Sequence, residues 1–234
     1  EISACLVGSE MCIRDRLNQA RSKKVPLTKV RYAGLDASGA QFFGVGGTVT
    51  EYTSGSTRYR VHSFTDTGNH KLVFNGQGSI DFLIVGGGGG SAAAEGYQGA
   101  TGGGGAGGMV EGTSQTISAG SYTVVVGAGG AKSTDINASA SNGSDSSFNS
   151  FIGKGGGGGT DYGTDGQDGG SGSGGSEDQE PAGASTQDTY SSTTGVTGYG
   201  NAGGQGGNYQ SGVTGSGGGG GAGRLQDGVV LISN

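Results

Sequence analysis

Apolar positions along the chain come in short strips, and each strip abuts a stretch with almost no side chains. Ile80-Asp81-Phe82-Leu83-Ile84-Val85 runs straight into glycines 86–90, with no turn residue between. The junction recurs where Tyr122-Thr123-Val124-Val125-Val126 meets Gly127-Ala128-Gly129-Gly130, and where residues 148–152 lead to glycines 155–159. Near the end the order reverses, so that glycines 217–221 precede Val229-Val230-Leu231-Ile232. Runs rich in β-branched and aromatic residues, bounded by glycine and polar clusters, predict strands. The pattern predicts strands over 59–64, 70–75 and 79–85, joined by turns at Asp66-Thr67-Gly68-Asn69 and Gly76-Gln77-Gly78 as successive antiparallel hairpins. A second meander is expected from 109–113 and 116–118, through a turn at Ala119-Gly120, into 122–126.

In the strip 80–85, Ile80, Phe82 and Ile84 fall on one face and Leu83 and Val85 on the other. A strand apolar on both faces is expected at the centre of its sheet and covered on both sides. Phe148, Phe151 and Ile152 add apolar anchors, and 229–232 is expected to close the sheet. Residues 17–57 read as a connector or docking segment with one short hairpin at Phe42-Phe43-Gly44-Val45. Helical periodicity is confined to 17–24.

Composition changes the picture after residue 85. Of the chain's 59 glycines, 49 lie from residue 86 onward and ten before it. Collagen is excluded, because there are two prolines and the glycine runs have no triplet phase. A disordered linker would carry no β-branched strips beside the runs. Glycine loses the most backbone freedom on folding and buries no side chain, so each must allow something another residue forbids. Polyglycine II packing answers this: extended helices with three residues per turn lie side by side and exchange backbone hydrogen bonds. The expected fold is therefore all-β, a small antiparallel β-sandwich fused to polyglycine II segments with exposed polar loops. The glycine-rich domain spans 58–234, with its β core at 58–152 and 228–234 and its polyglycine and loop regions at 86–108 and 153–223.

Residues 1–16 are read apart from this domain. Leu6 to Arg16 resembles the codon-by-codon translation of a transposon adapter used in sequencing libraries, so the chain is expected to be a metagenomic fragment whose native start lies upstream. Both cysteines, Cys5 and Cys12, belong to that segment, which leaves no thiol chemistry or disulfide in the rest. Charge is uneven. From Ile80 onward thirteen acidic residues face only Lys132, Lys154 and Arg224, which argues against a nucleic-acid partner. No apolar run approaches the roughly 20 residues of a spanning helix, so membrane insertion is not expected.

Candidate chemistry is thin. Gly87-x-Gly89-x-x-Ala92 follows a strand as a dinucleotide fingerprint does, but no helix follows to hold a pyrophosphate, because Gly96 cuts the short alanine run. The stretch 127–133 fails as a phosphate loop for the same reason and lacks the required glycines at Val126 and Ala131. His62 and His70 sit in neighbouring predicted strands without further zinc ligands. Asp161, Asp165 and Asp168 read as a solvated acidic loop and not as a calcium repeat. No cofactor, metal site or catalytic group is assigned. Tyr97, Tyr162, Tyr190, Tyr199 and Tyr209 stand out because all lie among glycine, serine, threonine and asparagine, away from the predicted strands. Tyrosine beside small polar residues is the chemistry of binding loops. The competing reading makes these rings hydrophobic plugs on the glycine segments, and the two weigh equally.

Five motifs in order, covering about three quarters of the chain, carry a resemblance to a known family. They are Tyr59 to Phe64, Ile80 to Gly90, Tyr122 to Gly130, Ser147-Phe148 before glycines 155–159, and Gly228 to Ser233. The chain resembles the glycine-rich domain of tail-fibre and other structural proteins of tailed bacteriophages. It departs from that pattern in its scarcity of proline and in Glu177-Asp178-Gln179-Glu180-Pro181, which interrupts the glycine runs. The resemblance implies a non-enzymatic virion component, a tail-fibre or fibre-tip adhesin. Its partners would be a host cell-surface glycan or outer-membrane protein and other tail-fibre proteins, with a homotrimer left open. The five tyrosines would be its receptor-binding residues. The alternative is a glycine-rich spacer of a bacterial cell surface, and a depolymerase enters only if a carboxylate pair lines a groove.

Overall fold

The computed structural model describes residues 42–54, 57–93, 100–177, 179–208, 215–221 and 229–233. The segments 1–16 and 17–41, and with them the adapter-like start, lie outside the described residues. Among the described residues there are eleven strands: β1 (Gly44–Val45), β2 (Thr48–Ser54), β3 (Thr57–Phe64), β4 (Gly68–Phe74), β5 (Gly78–Val85), β6 (Met109–Ile117), β7 (Gly120–Val126), β8 (Ser146–Phe148), β9 (Phe151–Gly153), β10 (Val196–Tyr199) and β11 (Val229–Ser233). Among the described residues there is no helix, and every strand pairing is antiparallel.

The strands form two sheets, ordered β1-β4-β7-β8-β9 and β10-β6-β5-β11-β3-β2. The strips predicted from the sequence are strands, but the predicted hairpins are not. β3 and β4 belong to different sheets, as do β4 and β5, and β6 and β7. The turns at 65–67, 75–77 and 118–119 therefore carry the chain across the core, because each successive strand can bury its apolar face by facing the previous one instead of pairing with it. β11 likewise does not close an edge. It inserts between β5 and β3, pairing Leu231 with Leu83 and with Ser63. β1 and β2, drawn from the segment read as a connector, pair with β4 and β3.

The core sits between the sheets. Phe64, Ile80, Phe82, Ile84, Val110, Ile117, Val196 and Ile232 from one sheet meet Leu72, Phe74, Val124, Val126 and Phe148 from the other in one buried cluster. Phe82 on β5 reaches across to Phe148 on β8, ring centroids 6.1 Å apart, and to Phe151 on β9 at 4.8 Å. β5 is central, as expected, but only its Ile80, Phe82 and Ile84 face is buried. Leu83 on the outer face borders an open groove with Tyr52, Val61, Glu111 and Thr113. A bulge where β5 meets β6 shifts the register between Ile80 and Phe82, and the Asp81 carboxylate holds it by accepting the Ser114 N–H at 2.7 Å.

The glycine segments outside the strands are joined to one another by backbone hydrogen bonds, and the bonding repeats every third residue. The N–H groups of Gly86 and Gly89 donate to the carbonyls of Gly108 and Gly105 at 2.9 and 2.8 Å; those of Gly87 and Gly90 donate to Ser144 and Ser141, both at 3.0 Å. The carbonyls of Gly88 and Ser91 accept from Gly130 and Ser133, and those of Gly87 and Gly90 accept from Gly156 and Gly159. The same step links 102–108 to 154–160, and 172–175 to 201–204. The interruption at 177–181 stays within the array: Glu177 donates to Ala100, and Glu180 and Pro181 accept from Gly206 and Gly166. Positive φ among the described glycines falls only at Gly46, Gly47, Gly68, Gly120, Gly163 and Gly195, so the runs do not use glycine for left-handed backbone. They use its missing side chain. A Cβ at Gly89 would lie 2.0 Å from the Gly157 carbonyl oxygen, and one at Gly157 would lie 2.1 Å from that of Gln167.

Candidate functional site

Polar side chains finish what glycine amides leave open at the borders of the array. Asn142 Oδ1 accepts the Gly158 N–H at 2.7 Å, Asp145 Oδ1 accepts that of Gly155 at 2.9 Å, and Ser146 Oγ accepts that of Gly127 at 2.9 Å. Asp161 and Asp168 belong to this fringe. Asp161 Oδ1 accepts from the hydroxyls of Ser139 and Thr164, both at 2.9 Å, and Asp168 Oδ1 accepts the Ala184 N–H. Among the described residues no three His, Cys, Asp or Glu side chains gather as ligands would.

The two histidines have separate environments. His62 is fully buried, donates Nδ1–H to the Gly46 carbonyl at 2.7 Å, and leaves Nε2 without a partner. Burial pushes its pKa below 6.5; Arg60 adds to the depression, and the Gly46 bond opposes it. His70 bonds its Nε2 to the Asp66 carbonyl and lies beside the Phe64 ring at 5.7 Å.

Of the five candidate tyrosines, Tyr97 and Tyr209 lie outside the described residues. The remaining three part company. Tyr190 is half-buried against the core, its ring edge-on to Phe151 at 5.4 Å, and its hydroxyl accepts the Ile152 N–H at 2.8 Å. It has φ of 53°, and its own N–H donates to Asp188 Oδ1. It is a plug. Tyr162 is 53 % exposed, in a turn with Gly163 at φ 66°. Tyr199 is 41 % exposed but lies on β10, opposite Met109 of β6, and not in a strand-free loop.

Tyr199 borders a groove of about 370 Å³ with Ser185, Gln187, Thr189 and Asn201. The floor is fixed. Gln187 Oε1 accepts the Lys154 N–H at 2.9 Å while its Nε2 donates to the carbonyls of Ile152 and Asp188. Ser185 Oγ donates to the Gly170 carbonyl at 2.7 Å, and Asn201 Nδ2 donates to that of Gly221 at 3.0 Å. Sequence reasoning singled out Tyr199 and not the four residues beside it. The available signal was the alternation of buried Val196 and Gly198 with exposed Thr197 and Tyr199, a short strand inside a low-complexity region. A larger open groove of about 830 Å³ runs over the glycine array itself, lined by residues 88–91, 104–106, 129–132 and 219–221, with Lys132 the one charged residue among the described lining.

A search among curated proteins finds no match. A family model described as a glycine-rich domain matches residues 65–230, from the turn before β4 into β11. Strands β4 to β10 and the glycine array fall within that span, while β1, β2 and β3 precede it; the match covers most of the sequence, and the chain belongs to this glycine-rich domain family.

Proposed function

We propose that this chain is a non-enzymatic structural domain of a tailed-phage fibre or fibre tip, an adhesin that carries its loops to a receptor on the host surface. The glycine segments are then polyglycine II helices: the three-residue bonding period and the absence of positive φ in the runs support that geometry. The observation that carries the functional reading is a backbone array too tight for side chains, from whose borders polar loops and the exposed Tyr162 emerge, with Tyr199 exposed at the end of β10. Such an array costs much backbone entropy for little apolar burial, and a stiff platform for variable loops is a use that offsets the cost. Weak single-loop binding suffices on a particle with several copies, because avidity raises the effective affinity. In the virion the domain would join other tail-fibre proteins, with a homotrimer as one assembly to test.

The test is binding of the labelled full chain to a panel of bacterial strains. Saturable binding to some strains, weakened by Tyr162→Ala and Tyr199→Ala together without loss of fold, is the expected result. Binding to none would remove the adhesin reading and favour a spacer of a bacterial surface protein.

A further inference from the structure

We propose that the groove beside Tyr199 is a subsite for a neutral saccharide unit, an inference that rests on the adhesin reading above. The argument begins with which polar atoms are already committed. Gln187 and Ser185 spend their polar groups on the floor, as do the Asn201 amide nitrogen and the Asn201 main chain. Tyr199 Oη, Thr189 Oγ1 and Asn201 Oδ1 make no hydrogen bond to any described residue. Two hydroxyls that both donate and accept, and one amide oxygen that accepts, therefore surround the groove.

Charge narrows the ligand class. The five described side chains lining the groove include no carboxylate, amine, guanidinium or imidazole. Among the described residues lining the groove an anionic sugar or phosphate finds no cation, and a basic peptide no carboxylate. The ring of Tyr199 gives the opening an apolar wall, so the site offers one flat aromatic surface and several neutral hydrogen-bonding groups. A pyranose has that complementarity, with a C–H face for the ring and hydroxyls for the rim. A protein partner would instead want a deep apolar pocket or a charged pair to anchor on, and the groove has neither. The support is preorganised as well: Asn201 is held through its main-chain N–H to Ser171 Oγ and through Nδ2, which aims Oδ1.

The experiment is saturation-transfer NMR of the full chain with neutral oligosaccharides of glucose, galactose and N-acetylglucosamine, alongside sialylated and sulfated ones. The expected result is transfer from aromatic protons to a neutral saccharide, lost or weakened about tenfold by Tyr199→Ala. The signal should be halved or less by Asn201→Ala and unchanged by Tyr162→Ala. Tyr199→Phe keeps the wall and loses one hydroxyl, so it should retain most of the transfer; it also controls for misfolding. Transfer that survives Tyr199→Ala, or is seen only with anionic saccharides, overturns the subsite. If the chain binds cells and that binding is untouched by Tyr199→Ala and by neutral saccharides, the subsite fails while the adhesin reading stands. If wild-type chain binds no cells, the adhesin reading itself fails.

Discussion

Replacing one buried glycine of the array with alanine is the sharpest perturbation, and Gly157 is the place to make it. Its N–H donates to Ser171 and its carbonyl accepts from Gly105 at 3.0 and 2.7 Å, so it is bonded on two sides. A Cβ there would stand 2.1 Å from the Gln167 oxygen, where ordinary contact begins at 3.4 Å. One segment must retreat by about 1.3 Å, and that oxygen is itself the acceptor for Ser173 N–H at 2.9 Å. A retreat of that size carries one or more of these bonds out of reach. Overpacking of this kind costs about 1–3 kcal/mol, and each buried amide left unpaired about 1–3 more. The expected loss for Gly157→Ala is roughly 3–5 kcal/mol, against a total stability of about 5–15 kcal/mol. Gly218→Ala is the matched control, because nothing lies within 4 Å of a Cβ there. Alanine at that position should be neutral or stabilising by about 0.4–1 kcal/mol, through the unfolded chain. Urea unfolding followed by circular dichroism reads both. Equal midpoints for the two variants would refute the claim that exclusion of side chains, and not glycine content as such, holds the array together.

Lowering the pH should cost stability through His62. Its folded pKa lies below 6.5, so the unfolded chain binds the proton first; stability is fully present above 6.5 and declines as pH falls from there towards the folded value. Chemical denaturation between pH 7.5 and 5 should show that slope in wild type and a flatter one in His62→Gln. Phe148→Ala should lose about 3–5 kcal/mol, since the ring is 1 % exposed and packs against Phe82 and Tyr122. Tyr190→Phe should cost about 1 kcal/mol in thermal unfolding by removing the acceptor for Ile152 N–H, and should leave cell binding as in wild type.

The strips of β-branched residues were legible as strands because their neighbours are glycine and their period is two. Their partners were not. The turns at Asp66 to Asn69 and at Ala119-Gly120 have hairpin residues, yet each carries the chain between sheets; local chemistry fixes that the chain turns, and the long-range burial of Phe64, Leu72, Ile117 and Val124 decides where it goes. The same limit applies to the array. Composition alone pointed to backbone packed on backbone, but the neighbours of Gly87, namely Ser144 and Gly156, are set by distant sequence. The tyrosines show the limit most plainly. Tyr190 and Tyr199 share a glycine, serine and threonine context, and one is tied into the core while the other stands over a groove. What separates them is the four-residue strand β10, whose alternation of Val196 and Gly198 with Thr197 and Tyr199 is a short signal inside a low-complexity region.

Residue-resolved amide hydrogen exchange on the full chain bears most directly on the central claim that the glycine segments form a fixed, mutually bonded array. The account predicts that the amides of Gly87, Gly105, Gly157, Gly170 and Gly204 exchange as slowly as those of Ile84 and Val124 in the core strands, and are lost together with them on unfolding. Slow exchange confined to the strands, with these glycine amides exchanging at the rate of a free peptide, would contradict it.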